Sequence, residues 1–124
     1  MTSLTTRDAN PKRGDIWLVN LDPTVGSEIR KIRPAVVVGS DAIGKLSLKL
    51  VAPITDWKDY FSDNVWHVKI EPSSDNGLTK TSAVDTFQLR SVDVRRFVRK
   101  SGVLSSSQML EVVFAIAAVI EFES

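Results

Sequence analysis

Residues 13–41 read RGDIWLVNLDPTVGSEIRKIRPAVVVGSD, and this stretch decides the fold. Two apolar runs, at 16–21 and 35–38, are rich in β-branched and aromatic residues and are flanked by turn formers, so they predict two β-strands. The connection between them, residues 22–34, is much longer than the roughly two to five residues that join an ordinary hairpin. We therefore expect a functional loop between the two strands.

The loop concentrates charge near its end. Glu28 lies among three cations, Arg30, Lys31 and Arg33. Pro34 fixes the backbone at the return of the loop and biases the preceding Arg33 toward an extended conformation. We therefore expect Arg33 where the loop rejoins the sheet, a rigid position that suits a cation in an active or binding site.

The composition excludes several classes of protein. The chain has 124 residues, 43% of them hydrophobic, which predicts one domain over 12–124 behind a loose N-terminal tail at 1–11. With no cysteine and one histidine, disulfides and thiolate or histidine-rich metal sites are excluded. The net charge is only +1, so a polyanion site must come from local clustering. The polar N-terminus and the short apolar run at 109–120 predict a cytoplasmic protein without a membrane span.

The rest of the chain predicts a mainly β fold with a C-terminal α-helix. Further strands are expected at 46–54, where Pro53 ends or bends the strand, at 65–70, at 82–89 and within 95–103, with a short helical turn at 91–97. This local antiparallel order is typical of a small barrel or strongly curled sheet. Ser105 and Gln108 have the spacing of a capping box that begins the helix. Because that helix is apolar on nearly all sides, it is either a plain core helix or is also covered by a second subunit.

Four segments together resemble the MazF/PemK family of toxins from bacterial toxin–antitoxin pairs. They are GDIWLVNLDPTVGSE at 14–28, IRPAVVV at 32–38, PIT at 53–55 and FQLRSVD at 87–93. The resemblance implies a small SH3-like curled barrel that assembles as a homodimer. It also implies an endoribonuclease that cuts single-stranded RNA at short sequences without a metal or other cofactor, and a partner antitoxin that silences it in the same groove.

The resemblance carries site residues onto this chain. Arg33 and Thr55 fall on the catalytic arginine and threonine of the family, and Glu28 falls on the glutamate of its loop. Gln88 falls on a glutamine that usually follows an acidic residue, a position that Phe87 takes here. The resemblance therefore assigns catalysis to Arg33 and Thr55, and Glu28 is the third catalytic candidate because a carboxylate can act as a base.

These residues suit cleavage in which the RNA 2′-hydroxyl attacks the adjacent phosphorus. A guanidinium at Arg33 matches the doubly negative phosphorane, and the Thr55 hydroxyl can donate a hydrogen bond to the same oxygens. Arginine stays protonated and is a poor general base. Glu28 is either that base or a residue that fixes the loop by pairing with Arg30 or Lys31.

Binding of RNA needs cations, hydrogen-bonding groups and aromatic rings that stack on unpaired bases. The residues expected to bind RNA are Ser27, Arg30, Lys31, Trp57, Gln88 and Arg90. Tyr60 and Phe61 are further candidates for base stacking. The basic residues between 90 and 100 either extend the groove or form a solvated face.

Other interpretations remain open at this stage. His67 titrates near neutrality, but it lies in the middle of a predicted strand, where a packed side chain is the commoner role. The absence of clustered acidic residues and histidines argues against a two-metal nuclease. Two rival functions have the same fold: a toxin that binds DNA gyrase without catalysis, and a plain RNA- or protein-binding module.

Overall fold

The computed structural model describes residues 10–43 and 47–122. Within these residues the chain forms a seven-stranded antiparallel sheet and one α-helix. The strands are β1 (Asp15–Asn20), β2 (Ile32–Val37), β3 (Leu48–Asp56), β4 (His67–Ile70), β5 (Ser82–Asp85), β6 (Arg90–Asp93) and β7 (Phe97–Val103), and the helix α1 is Ser106–Val119. The mainly β prediction with a C-terminal helix is confirmed.

The central strand β3 has different partners along its length. One edge pairs with β2, where Ala35 lies opposite Pro53. The other edge pairs with β6 through residues 48–51 and with β5 through residues 54–56. Pro53 lies where that edge changes partner, a place where a missing N–H costs no ladder hydrogen bond. Of the two predicted effects of Pro53, ending or bending the strand, the first does not occur, because β3 runs on through Thr55 to Asp56.

The two outer strands β6 and β7 curl the sheet. A single 3-10 turn, Val94–Arg96, joins them, although β6 pairs with β3 and β7 pairs with β1. Their side chains Val92 and Phe97 pack into one buried cluster with residues from β1, β2 and β3. Because β7, which pairs with β1, and β6, which pairs with the far edge of β3, both contribute to this cluster, the predicted strongly curled sheet is confirmed.

Helix α1 covers the other face of the sheet. The predicted capping box is present: the Gln108 amide donates to Ser105 Oγ at 3.1 Å, and the Ser105 amide donates to Gln108 Oε1 at 3.0 Å. Met109 and Val112 are buried in a cluster with residues of β3, β4 and β5. The opposite side of the helix stays exposed, with Phe114 at 65%. Among the described helices, none has the length and apolar character that crossing a membrane demands.

Several predicted boundaries differ from the structure. The strand expected at 82–89 ends at Asp85, whose side chain accepts a hydrogen bond from the Phe87 amide at 3.0 Å and so caps a 3-10 turn, Thr86–Gln88. The helical turn expected at 91–97 begins with strand β6 instead, and only Val94–Arg96 is helical. Residues 1–9 of the predicted tail and residue 46 of the predicted third strand lie outside the described residues.

Candidate active site

Arg33 and Thr55 line the same cleft, which has a volume of ≈ 430 Å³. The sheet explains why: Ala35 pairs with Pro53, so the same antiparallel register, continued by two residues, brings Thr55 beside Arg33. Arg33 is the second residue of β2, at the end of the long loop, as its position before a proline predicts. The structure thus brings together the two residues at the centre of the sequence hypothesis.

The Arg33 side chain keeps most of its guanidinium free for a ligand. It is partly buried, and its Nε donates a hydrogen bond to the Arg30 carbonyl oxygen at 3.4 Å. No carboxylate of residues 10–43 or 47–122 forms an ion pair with it. An arginine in this state can present its terminal nitrogens to two phosphate oxygens at once.

The structure adds two charged residues to this cleft, Asp56 and Lys80, that have no assignment from the sequence. Asp56 follows Thr55 on β3, and its Oδ2 lies 3.7 Å from Lys80 Nζ on the segment before β5. Arg99 of β7, one of the basic residues predicted either to extend the groove or to form a solvated face, also lines the cleft. No local pattern marks Lys80, since only the pairing of distant strands places it here.

Glu28 and Gln88 lie in a neighbouring cleft of ≈ 310 Å³. Glu28 Oε1 accepts a hydrogen bond from the Val25 amide at 2.7 Å, so this side chain closes the turn of its own loop. The ion pair expected with Arg30 or Lys31 is not among the pairs of the described residues. Glu28 therefore fixes the loop, as one interpretation held, but through a main-chain amide.

Gln88, on the 3-10 turn that follows β5, binds the same loop. Its Oε1 accepts a hydrogen bond from the Ile29 amide at 2.5 Å, and its Nε2 donates to the Ser27 carbonyl oxygen at 3.3 Å. These two contacts flank Glu28. Both polar atoms of the Gln88 side chain are thus bonded to the loop, whereas the sequence analysis expected this residue and Ser27 to bind RNA.

Removal of the Gln88 amide is expected to loosen the loop. In Gln88→Leu, two hydrogen bonds worth about 1 kcal/mol each are lost, so tryptic cleavage after Arg30 and Lys31 should become up to about thirtyfold faster. Gln88→Glu is the matched control, because it keeps an acceptor for the Ile29 amide and should give an intermediate rate. Mass spectrometry of early fragments measures this rate. Equal rates for wild type and Gln88→Leu would contradict the contact.

Main-chain contacts also anchor both ends of the loop. Lys31 has a positive φ of 71°, its amide donates to Asp22 Oδ1 at 3.0 Å, and its carbonyl oxygen accepts from the Leu21 amide at 3.0 Å. Arg90, expected to bind RNA, donates from Nη1 to the Leu21 carbonyl oxygen at 3.2 Å. The loop thus leaves and rejoins the sheet at fixed points.

Aromatic side chains lie on the segment that directly follows β3. Trp57 comes immediately after β3, with Lys69 Nζ 5.1 Å from its ring centroid and Phe61 packed edge to face at 5.7 Å. Tyr60 is 75% exposed on the 3-10 turn Asp59–Asp63. An exposed ring beside a basic cleft suits stacking of unpaired bases.

His67 is a packed residue. Its side chain is 7% exposed, and its ring stacks on Phe61 with centroids 3.8 Å apart. Asn64 Nδ2 lies 3.1 Å from Nδ1, and Asp85 Oδ2 lies 3.5 Å from Nε2. An amide donor at Nδ1 and a carboxylate at Nε2 fit a neutral ring with its proton on Nε2. His67 lines neither of the two clefts, in agreement with the favoured interpretation.

Protonation of His67 is expected to weaken the fold. Burial lowers the pKa of His67 below its ordinary value of 6.5, and the Asp85 carboxylate offsets only part of this effect. Between the lowered pKa and 6.5 the unfolded chain binds more protons than the folded one. The free energy of unfolding should therefore fall as the pH drops through that window and level off below it.

Urea unfolding at several pH values between about pH 5 and pH 8 measures how the free energy of unfolding depends on pH. His67→Gln should make this free energy nearly independent of pH in the upper part of that range, because the chain has only one histidine. A wild-type stability that stays constant across the window would contradict a buried neutral ring.

The described residues contain no group of three histidine, cysteine, aspartate or glutamate side chains that could hold a metal ion. The groups placed in the cleft of Arg33 and Thr55 are cations, hydroxyls and one carboxylate. Such a set can bind a phosphodiester and stabilise charge that grows on it. The curled sheet and the terminal helix thus carry a cleft whose polar groups suit a polyanion.

Comparison with known proteins identifies the family. Residues 12–120 match the family described as PemK-like, MazF-like toxin of type II toxin-antitoxin system, so the chain belongs to that family. The predicted family and the predicted role as a toxin of such a system are therefore confirmed.

Curated relatives and solved structures agree with this assignment. The chain is 37% identical over 102 residues to Endoribonuclease MazF of Staphylococcus epidermidis, a match that covers 82% of this chain and 83% of the relative. It is 34% identical over 105 residues to Endoribonuclease MazF of Staphylococcus saprophyticus, with 85% and 87% covered. The fold is similar to that of MazF from Deinococcus radiodurans, with a TM-score of 0.77, 23% identity, and 93% of this chain and 100% of the other covered.

Proposed function

We propose that this toxin is a sequence-selective, metal-independent endoribonuclease that cleaves single-stranded RNA in the cytoplasm and so stops translation and growth. The observation that carries the proposal is the shared cleft of Arg33 and Thr55, in which Arg33 forms no ion pair with any described residue. The two staphylococcal relatives that carry the name Endoribonuclease MazF support the reaction class. The rival of a gyrase-binding toxin has no comparable support.

The reaction uses the RNA itself as nucleophile. Attack of the 2′-hydroxyl on the adjacent phosphorus forms one P–O bond and breaks the bond to the 5′-oxygen, leaving a 2′,3′-cyclic phosphate and a 5′-hydroxyl; the proton of the 2′-hydroxyl passes to water, and a proton from water reaches the 5′-oxygen. The charge on the phosphate oxygens grows along this path. Arg33 stabilises that charge with paired N–H donors, and the Thr55 hydroxyl donates to the same oxygens or orients the attacking hydroxyl.

Glu28 acts in this proposal as an organiser of the loop. Its carboxylate holds the Val25 amide, and it lines the cleft of Gln88, not the cleft of Arg33 and Thr55. A carboxylate in that position shapes the wall that the RNA meets. It does so without taking the proton of the 2′-hydroxyl.

Cations and aromatic rings near the reacting phosphate can bind the RNA. Arg30 and Lys31 lie exposed on the loop before Arg33 and can contact phosphates. On the segment that follows β3, Trp57 and the exposed ring of Tyr60 can stack on unpaired bases. Cations together with aromatic rings select a single strand, whose bases are free to stack.

Two protein partners are part of the proposal. A structural neighbour from a mycobacterial species is an endoribonuclease in complex with its cognate antitoxin. An acidic, partly disordered antitoxin segment fits the same basic cleft, where it competes with RNA. The exposed apolar face of α1, where Leu110 and Phe114 are 53% and 65% exposed, is a surface that a second copy of the chain can cover in a homodimer.

Cleavage of a long, mostly unstructured RNA in excess EDTA tests the proposal. Discrete fragments from wild-type protein, and none from Arg33→Ala prepared identically, are expected. Intact RNA with folded wild-type protein free of antitoxin would overturn the proposal. Co-purification of gyrase with the intact chain would then favour the gyrase-binding alternative, and retention of uncut RNA would favour a binding module.

A further inference from the structure

Four of the five basic residues between 90 and 100 are held by partners inside the protein. Arg90 and Arg96 donate hydrogen bonds to main-chain carbonyl oxygens of residues 20–22. Arg95 and Lys100 form ion pairs with aspartates at 3.0 and 3.3 Å. These four side chains stabilise the loop or the sheet, so they do not form a free binding surface.

Arg99 is the exception. Its side chain is exposed and lines the cleft of Arg33 and Thr55. Within residues 10–43 and 47–122 it makes no side-chain hydrogen bond and no ion pair. The third cation of the cleft, Lys80, is paired with Asp56. Arg33 and Arg99 are thus the two cations in the cleft whose charge no described carboxylate offsets.

The strand register separates the main chains of the two arginines. Leu18 of β1 pairs with Pro34 on one side and with Arg99 on the other. The main chain of Arg99 therefore lies two strands from the residue next to Arg33, about 10 Å across the sheet. Thr55 lies one strand farther away, on β3. Arg99 thus starts from a strand that is not adjacent to either Arg33 or Thr55.

The strand between those of Arg33 and Arg99 also contributes to the cleft, because Leu18 of β1 is half-buried and lines it. Two cations that line one cleft from separate strands match the repeating pattern of a nucleic-acid backbone, in which charged phosphates alternate with sugars. Such contacts fix the register of the strand without reading its sequence.

We propose that Arg99 binds a phosphate next to the scissile one and so sets the register of the RNA backbone in the cleft. This inference rests on the proposed function, because it names a backbone subsite of the same cleft. Arg99 acts on binding and placement of the RNA and does not contact the reacting phosphate. Its loss is expected to change KM, while a residue at the reacting phosphate changes kcat.

The test compares Arg99→Gln with Arg95→Gln, a matched control that removes another exposed arginine, one already paired with Asp93. Cleavage of a single-stranded RNA oligonucleotide is followed for both variants at several salt concentrations. Arg99→Gln should raise KM about tenfold with kcat within about twofold of wild type. It should also reduce the salt slope of log kcat/KM by about 0.7, the value for one lost phosphate contact on a single strand. Arg95→Gln should behave as wild type does.

Two outcomes would overturn the inference. Arg99→Gln with the KM and salt slope of Arg95→Gln would mean that no phosphate is bound there. A fall in kcat with an unchanged KM would place Arg99 at the reacting phosphate instead. If wild-type protein cuts no RNA, fluorescence anisotropy with the same oligonucleotide still separates the two claims: weaker binding by Arg99→Gln alone supports the subsite, and equal binding by all three proteins overturns it.

Discussion

Replacement of Arg33 by glutamine should lower kcat for RNA cleavage by about 1000-fold, the cost of removing a major donor to a developing oxyanion. Arg33 lies in the cleft, and its side chain makes one described hydrogen bond, of 3.4 Å to the Arg30 carbonyl oxygen. The fold should therefore remain intact. Single-turnover kinetics measure the loss, and thermal unfolding within a few degrees of wild type excludes a folding defect.

Arg33→Lys is the control that separates charge from geometry. Lysine keeps the positive charge but cannot donate two parallel hydrogen bonds to a phosphate. We expect it to recover only about a tenth to a hundredth of wild-type kcat. Full activity in Arg33→Gln, with normal unfolding, would contradict the assignment of Arg33 to the reacting phosphate.

Substitution of Gly77 by alanine should destabilise the protein by about 3 to 5 kcal/mol, the sum of backbone strain and overpacking. Gly77 has a φ of +68°, and a Cβ there would overlap the carbonyl group of Ser101 on β7. The main chain of Ser101 is fixed in the sheet, so it cannot move aside for the new Cβ as a flexible side chain can. Both residues line the cleft, so the close contact also positions its wall.

Gly26→Ala is the matched control for this effect. Gly26 has a similar φ of +61°, but a Cβ there has no atom within 4 Å. Its replacement should cost only about 1 kcal/mol of backbone strain. Urea unfolding of both variants gives the difference. Equal losses in the two variants would contradict the role of the contact between Gly77 and Ser101.

The strands on either side of the long loop could be predicted because their signals are local. The apolar runs, the turn formers and Pro34 all lie within a few residues of one another, and they place Arg33 at the entrance of β2. The capping box of α1 is predicted for the same reason. Local patterns of this kind depend on main-chain preferences that act within one or two turns.

The rest of the cleft could not be predicted, because it depends on which strands lie side by side. Lys80 carries no distinguishing pattern, and the sequence left open whether Arg99 and its basic neighbours extend the groove; the pairing of β3 with β5 and of β1 with β7 brings both residues to the cleft. The sequence also left open whether Pro53 ends or bends its strand, since a change of partner along β3 cannot be predicted from one strand alone.

The contacts of Gln88 could not be predicted from the sequence either. The family resemblance assigned it to RNA, yet both polar atoms of its side chain bind the main chain of the loop around Glu28. A motif gives the residue type at a position, and the contacts of that residue depend on the conformation of a distant loop. The effect of Gln88 on RNA binding in this chain is therefore expected to act through the loop.

Cleavage of an RNA oligonucleotide with a single 2′-deoxy substitution at the cut site tests the central claim most directly. In excess EDTA, wild-type protein should cut the all-ribose strand to a 2′,3′-cyclic phosphate and a 5′-hydroxyl, and should leave the substituted strand intact at that site. This result is expected if the cleft supplies charge and orientation while the RNA supplies the nucleophile. Cleavage of the deoxy-substituted strand at the same site and rate would contradict the account.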